Sequence, residues 1–378
     1  MPATDNLRQP QWIIKIGSSI IADPGKGLRL PAIRSIASQI HTLVESGVHV
    51  LLVSSGAVAL GMQRASKQQR PQALDLLQAL AALGQADLVA CWRQELNQHG
   101  LDAALVLLTR WDTEDRSRYL NIRNTFAQLR QLGIIAIVNE NDSVAVDELQ
   151  FGDNDILAGL VANITDADKL ILLTDQNGLY TGNPSTNPDA QLINQAQLND
   201  HRLASYATES TGKLGRGGMK SKLEAAHMAA RSGCDTWILN GNASDCLIEL
   251  AKGHNTGTWL STEQPASGAR QTWLANRSHA KGALYMDAGA TRAILEEGAS
   301  LLAVGIKRIE GAFNTGDLVH CFDPDSKLVA VGLINFNHHE CSMIIGKHST
   351  EITSILNKVV AGELIHRDNL ALFPTHRN

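Results

Sequence analysis

The sequence predicts an α/β fold, an open parallel-rich sheet sandwiched by helices, followed by a small, mostly β domain. Three observations carry this expectation. Six short apolar runs recur through the first two-thirds of the chain, most of them leading into turns rich in Gly, Ser, Asn or Asp. Long Ala/Leu/Gln segments with helical spacing separate several of them, and strands alternating with helices indicate a parallel sheet covered on both faces. After about residue 260 the rhythm changes to short strand-like pieces broken by turns.

The apolar runs are Trp12–Ile16, Val48–Val53, Ala103–Leu108, Ile134–Val138, Lys169–Leu173 and Thr236–Leu239. Val50-Leu51-Leu52-Val53 is aliphatic without a break, as a strand buried on both faces requires. Ala73–Asn97, Leu120–Gln131 and Leu223–Arg231 carry helical spacing. Ser261–Gly268 is small and polar and reads as a linker. Beyond it come strand-like Gly282–Met286, Leu301–Val304, Leu318–Phe322 and Leu328–Ile334, with turn signals at Asn314–Asp317 and Asp323–Ser326. Helical pieces fall near Ala290–Glu297 and Thr350–Val360. The expected organisation is an α/β domain over residues 1–265, a β-rich domain over 278–360 and a C-terminal tail over 361–378.

Composition narrows the function classes. The chain of 378 residues has 33 Lys plus Arg against 38 Asp plus Glu, a net charge of −5, with 44% hydrophobic and 19% charged residues. That balance excludes wholesale disorder and argues against a nucleic-acid coat. Val50–Gln63, the longest weakly polar stretch, is too short to span a bilayer, and Met1–Gln11 is polar with no apolar core for a secretory signal. Cys91, Cys234, Cys246, Cys321 and Cys341 form no CxxC pair and are odd in number, which suggests reduced thiols in a cytoplasmic protein. His338 and His339 are adjacent, so in a strand they would face opposite ways, and no structural metal is expected.

In an open parallel sheet, ligands bind at the carboxyl ends of the strands. Those ends carry Lys15-Ile16-Gly17-Ser18-Ser19, Ser54-Ser55-Gly56-Ala57, Asn139-Glu140-Asn141-Asp142-Ser143 and Thr174-Asp175-Gln176-Asn177-Gly178. Gly17 and Gly56 allow close backbone approach, and amides at a helix start bind anions. Lys15 lies among Trp12, Ile13, Ile14 and Ile16, so it is either a snorkelling edge-strand lysine or one aimed at a phosphate. Leu214–Lys222 places three glycines, Arg216, Lys220 and Lys222 at the start of a helix. Cations are disfavoured there unless a polyanion sits among them, so a phosphate site is favoured over a basic surface loop. It is not the P-loop pattern. Gly152-Asp153-Asn154-Asp155 and Asn139–Asp142 could orient a substrate ammonium or water around Mg²⁺, or be solvated turns. No Ser/His/Asp arrangement or GxSxG motif signals nucleophilic hydrolysis.

Together these loops resemble the amino acid kinase family, in its glutamate-phosphorylating branch with a C-terminal PUA domain. The matching segments, in order, are Lys15–Ser19, Ser54–Ala57, Leu108–Arg110, Val138–Asp142, Phe151–Asp155, Leu172–Tyr180 and Gly217–Lys222, over residues 12–240. Asp287–Ala290 and Gly305-Ile306-Lys307 resemble the PUA pattern. The resemblance implies the amino acid kinase fold, ATP and Mg²⁺ as cofactors, and phosphorylation of the γ-carboxylate of L-glutamate in proline biosynthesis. It further implies proline as inhibitor, a homo-oligomer, a functional link to glutamyl phosphate reductase and no membrane association. By the same resemblance Lys15 and Lys222 are catalytic, and Ser55, Asp142 and Asn154 bind glutamate. Lys15, Gly17, Ser18, Thr174, Asp175, Arg216, Gly217, Gly218, Met219, Lys220, Ser221 and Lys222 then bind the nucleotide. The family loop Gly-Thr-Gly-Gly-Met-x-Thr-Lys differs here at two positions, Arg216 and Ser221, each in place of Thr.

The nearest rival is another phosphotransferase of the family, acting on aspartate, acetylglutamate, carbamate or a nucleotide; the substrate loops and the appended domain favour glutamate. RNA binding by the PUA-like domain is the rival from another class. From Ser278 to Asn378 there are nine Lys plus Arg against eleven Asp plus Glu, and that balance speaks against an RNA module.

Overall fold

The computed structural model describes residues 9–23, 27–114, 116–145, 154–184, 186–207, 218–262, 280–357 and 362–372. The chain divides into two compact units, residues 1–115 with 121–266 and residues 267–378 with 116–120, and each is described by itself.

Strands of the first unit are β1 (Gln11–Ile16), β2 (Ala22–Asp23), β3 (Gly27–Leu28), β4 (His49–Ser54), β5 (Ala103–Leu108), β6 (Ile135–Glu140), β7 (Lys169–Thr174), β8 (Gln195–Gln197), β9 (Asp235–Asn240) and β10 (Thr258–Ser261). Eight of them form one sheet in the order β5-β6-β4-β1-β7-β9-β10-β8, while β2 and β3 make a small hairpin. Neighbours from β5 to β9 run parallel. β10 is antiparallel to β9, and β8 is parallel to β10. All six apolar runs are strands of this sheet. β8 and β10 are additions, three and four residues long and without the continuous apolar run that marks the others.

Helices are α1 (Ser18–Ile21), α2 (Leu30–Glu45), α3 (Ala57–Arg64), α4 (Leu74–Asn97), α5 (Arg110–Glu114), α6 (Arg116–Gln131), α7 (Asn154–Ile164), α8 (Arg202–Tyr206), α9 (Met219–Ala230) and α10 (Cys246–Ala251). Side chains alternate across a strand, so Trp12, Ile14 and Ile16 of β1 enter the core that also holds α2, α4 and α10. Lys15 faces the other way, to α7 and α9. The fully buried Ile13, Ile14 and Ile16 each contribute about 1.5–3 kcal/mol, enough to anchor β1 at the centre. By length and composition α4 could cross a membrane, yet Leu80, Leu88, Trp92 and Leu96 of that helix lie in the protein core. Its Gly84 is pressed on α3, where an added Cβ would stand 2.0 Å from the Ala57 carbonyl.

Two features of this architecture place the site. The chain winds from β1 to β4 on one side and reaches β7 on the other, so the strand order reverses at β1 and opens a crevice beyond its carboxyl end. On the Lys15 face, α7 and α9 approach so closely that a Cβ on Gly159 would lie 2.5 Å from the Ala225 carbonyl oxygen.

The second unit has a sheet of β11 (Gly282–Met286), β13 (Ile306–Gly311), β14 (Leu318–Phe322), β15 (Leu328–Leu333) and β17 (Leu370–Leu372) in the order β13-β11-β14-β15-β17, and a pair β12 (Leu301–Leu302) with β16 (Glu363–Ile365). Its helices are α11 (Ala288–Glu297), α12 (His338–Ile344) and α13 (Ser349–Leu356). The Asp287 carboxylate caps α11 by accepting from the Ala290 amide at 2.8 Å, and Gly298 ends the helix at φ 60°. The expected tail is not separate over its described residues. β16 pairs with β12 and β17 with β15, burying Leu364, Ile365, Leu370 and Ala371. These strands are too short to mark themselves in the sequence. His338 and His339 open α12 instead of lying in a strand, because Asn337 and Glu340 form a reciprocal capping box there.

Candidate active site

The crevice beyond β1 is built around one carboxylate. Asp155, in the first turn of α7, is fully buried and receives the Lys15 ammonium at 2.6 Å and the Lys222 ammonium at 2.9 Å. The Ser221 hydroxyl donates to the same carboxylate at 3.0 Å. Lys15 comes from a strand, Lys222 and Ser221 from α9, and the glycine-mediated approach of α7 to α9 lets the two helices share this point. Burial pushes the Asp155 carboxyl up, but the two ammoniums outweigh it and hold the group well below the usual carboxylate range. Lys15 and Lys222 thus bring two ammoniums to one buried carboxylate, where interactions with a further anion are screened less than in water.

A second, neutral network lies beside it. The Asn154 amide group donates to the Ser55 hydroxyl and to the Asn139 side-chain oxygen, both at 2.9 Å. Asn139 in turn donates to Gln85 at 2.7 Å within the buried core, and the Trp92 indole donates to the Ser54 hydroxyl at 2.9 Å. These bonds fix the ends of β4 and β6 against α4 and α7. Gly56, which starts α3 at φ 115°, takes a conformation that L side chains resist and so sets the direction of the Ser55 turn. Asp142 stands half-buried in the turn after β6.

On the opposite side of β1 lie the ends of β7 and β9. Thr174 is buried and its hydroxyl donates to Asp175, while the Gly241 amide donates to the Thr174 carbonyl at 2.8 Å. Gly218 precedes α9, whose first turn holds Met219, Lys220 and Ser221, with Lys220 exposed. Arg216 and Gly217 lie outside the described residues, as do Gly152 and Asp153. The Gly17 amide donates to the Leu173 carbonyl at 3.1 Å, which continues the parallel ladder past the end of β1. Its lack of a side chain matters for packing, since a Cβ would lie 3.1 Å from that same carbonyl. Ser18 follows in the first turn of α1.

The geometry therefore joins Lys15 with Lys222 and Ser221, and joins Ser55 with Asn154. From sequence alone Asp155 is one member of a loop motif with no role of its own, and Asn139 and Gln85 carry none either. A signal existed for Asp155: a lysine in an apolar strand requires a buried counter-ion. An acid opening the apolar helix Asn154–Ile164 was a candidate for it. The basic residues at the start of α9 are partly explained in the same way, because Lys222 folds back onto Asp155.

A model of the amino acid kinase family matches residues 10–240, and a model of the PUA domain matches residues 282–356. A protein described as glutamate 5-kinase from Hahella chejuensis is 46% identical over 371 residues, covering 98% of this chain and 96% of its own. One of the same description from Pseudomonas putida is 46% identical over 96% of this chain and 97% of its own. Another, from Thioalkalivibrio sulfidiphilus, is 48% identical over 96% of each.

Proposed function

The chain belongs to the amino acid kinase family, in its glutamate 5-kinase branch with a PUA domain appended, and we propose that the Lys15–Asp155–Lys222 cluster is its phosphoryl-transfer centre. The reaction moves the γ-phosphoryl group of ATP to the γ-carboxylate of L-glutamate, giving L-glutamyl 5-phosphate, in proline biosynthesis. The acceptor carboxylate has a reference pKa of about 4.3 and is ionised at neutral pH, so no general base is required. The task is to bring two anions into line and to stabilise charge spreading over the transferring group. Two lysines held on one buried carboxylate are suited to it, and this arrangement is the observation that carries the reading. Asp155 fixes both ammoniums and offsets their mutual repulsion; Lys15 and Lys222 receive the developing charge.

Glutamate takes the neutral side of the crevice. Ser55 and Asn154 hydrogen-bond its carboxylates, preorganised by Asn139 and Gln85, and Asp142 pairs with the α-ammonium. ATP takes the side of β7 and β9, contacting Ser18, Thr174, Asp175 and the loop from Arg216 to Lys222. Among the described residues no three His, Cys, Asp or Glu side chains gather to hold a metal, and Asp155 is engaged by cations. The donor set fits Mg²⁺ that arrives bound to the phosphates of ATP, where it supplies charge neutralisation. The product is a reactive acyl phosphate, which accounts for a functional link to glutamyl phosphate reductase. Inhibition by proline, a homo-oligomeric state and a cytoplasmic location complete the proposal.

The test is trapping of the acyl phosphate with hydroxylamine, using ATP and Mg²⁺ with glutamate, aspartate and acetylglutamate side by side. Glutamate alone gives strong hydroxamate formation; turnover of another acid with none of glutamate overturns the assignment.

A further inference from the structure

Arg29 stands between β3 and α2, outside the loop motifs that carry the resemblance, and its guanidinium bonds to the segments that follow β1 and β9. Its Nη1 donates to the Ser19 carbonyl oxygen at 3.3 Å and to the Asn242 side-chain oxygen at 3.2 Å. Ser19 belongs to the first turn of α1, directly after β1, and Asn242 to the loop after β9. From Asn242 the chain of bonds continues, because its backbone N–H donates to the Asn240 side-chain oxygen at 2.9 Å, and the Asn240 side-chain amide donates to the Asn177 side-chain oxygen at 2.8 Å in the loop after β7. Three loops on three strands are thus tied by one polar chain with Arg29 at its head. Arg29 is itself anchored: its backbone amide donates to the Ile21 carbonyl at 2.8 Å, and its Nε lies 3.9 Å from the Asp23 carboxylate.

We infer that Arg29 is a positioning residue for nucleotide binding, a strut that holds the loops after β1, β7 and β9 in register before ATP arrives. The inference rests on the assignment of those loops to ATP. Without the strut, ordering of the loops falls to the bound nucleotide, which weakens its affinity and leaves the transfer step unchanged once ATP is seated. The glutamate side is spared, since Ser55, Asn154, Asn139 and Gln85 hold one another through a separate network. An arginine suits the role because its planar fork fixes the directions of the two Nη1 hydrogens toward Ser19 and Asn242, whereas a lysine ammonium turns freely on its stem.

The experiment compares Arg29→Met, Arg29→Lys, Asn242→Ala and the double variant Arg29→Met/Asn242→Ala in steady-state kinetics and in ADP binding by calorimetry. Arg29→Met raises the KM for ATP and the Kd for ADP about three- to tenfold, the effect of a charge-assisted hydrogen bond discounted for a 38% exposed side chain. The KM for glutamate and kcat stay within about twofold. Arg29→Lys recovers part of the loss, and the double variant is no worse than Arg29→Met, because both changes cut the same tie. Unchanged nucleotide affinity, or an equal loss in kcat or in the KM for glutamate, overturns the inference. Should Arg29→Met fail to fold, Asn242→Ala and Arg29→Lys leave the β3–α2 junction intact and decide by the same criteria. ADP binding reads the strut independently of turnover, so a wild-type protein that binds ADP but does not phosphorylate glutamate refutes the substrate assignment alone.

Discussion

Replacing Asp155 by Asn removes one charge and almost no volume, and it strikes the point where strand and helix meet. The carboxylate accepts from Lys15 at 2.6 Å, Lys222 at 2.9 Å and Ser221 at 3.0 Å, with no exposure to solvent. An amide keeps one acceptor oxygen and turns a donor toward the second ammonium, so one lysine must leave its place. Loss of a buried ion-pair partner costs about 3–5 kcal/mol of stability. Displacing one of two charge-stabilising groups lowers kcat by about 10²–10³-fold, equivalent to about 3–4 kcal/mol of transition-state stabilisation. The KM for glutamate changes by less than about threefold, because Asn154 and Ser55 hold their own network. Hydroxamate kinetics and thermal denaturation measure the two effects. An Asp155→Asn protein with kcat within about threefold of wild type refutes the claim that this carboxylate sets the lysines for transfer.

Other perturbations read other parts of the molecule. Burial, with Arg130 nearby, lowers the His49 pKa to about 4; neither ring nitrogen has a hydrogen-bond partner among the described residues. Unfolded histidine titrates near 6.5, so this stabilising contribution is complete above that pH and is lost as pH falls from 6.5 through 4, by about 1–2 kcal/mol after discounting for partial exposure. His49→Leu flattens that limb of a stability–pH curve, whereas the contribution from Asp155 is lost only below about pH 3.8. Gly159→Ala forces the α7–α9 contact apart and costs about 1–3 kcal/mol, with a parallel fall in kcat that a change remote from Asp155 would not cause. Asp142→Asn raises the KM for glutamate about tenfold with little change in the KM for ATP, and unchanged glutamate kinetics remove the ammonium assignment. Burial raises the pKa of all five thiols, but Cys91 is only half-buried, so native alkylation labels it first, while the buried Cys234, Cys246, Cys321 and Cys341 react only after denaturation.

The parallel sheet was legible because its central strands are buried on both faces, and burial of that kind demands uninterrupted aliphatic runs such as Val50–Val53. β8, β10, β16 and β17 were not, since strands of three or four residues are too short to carry a pattern and are chosen by their pairing partners. Site residues at strand ends were visible as polar breaks in apolar runs, which is how Lys15, Ser55 and Thr174 drew notice. Asp155 and Arg29 were hidden for different reasons. Asp155 acquires its role only when α7 meets α9 at Gly159, and Arg29 only when the hairpin preceding α2 lies beside the loop after β9.

The proposed role of Lys15 and Lys222, set by Asp155, is to stabilise transfer of the phosphoryl group to the glutamate γ-carboxylate. Rapid-quench measurement of acyl phosphate formation in a single turnover isolates that step from binding and release. Lys15→Met and Lys222→Met each slow it by at least about 10³-fold at saturating glutamate and ATP. A variant lacking either lysine that forms acyl phosphate at the wild-type rate contradicts the account.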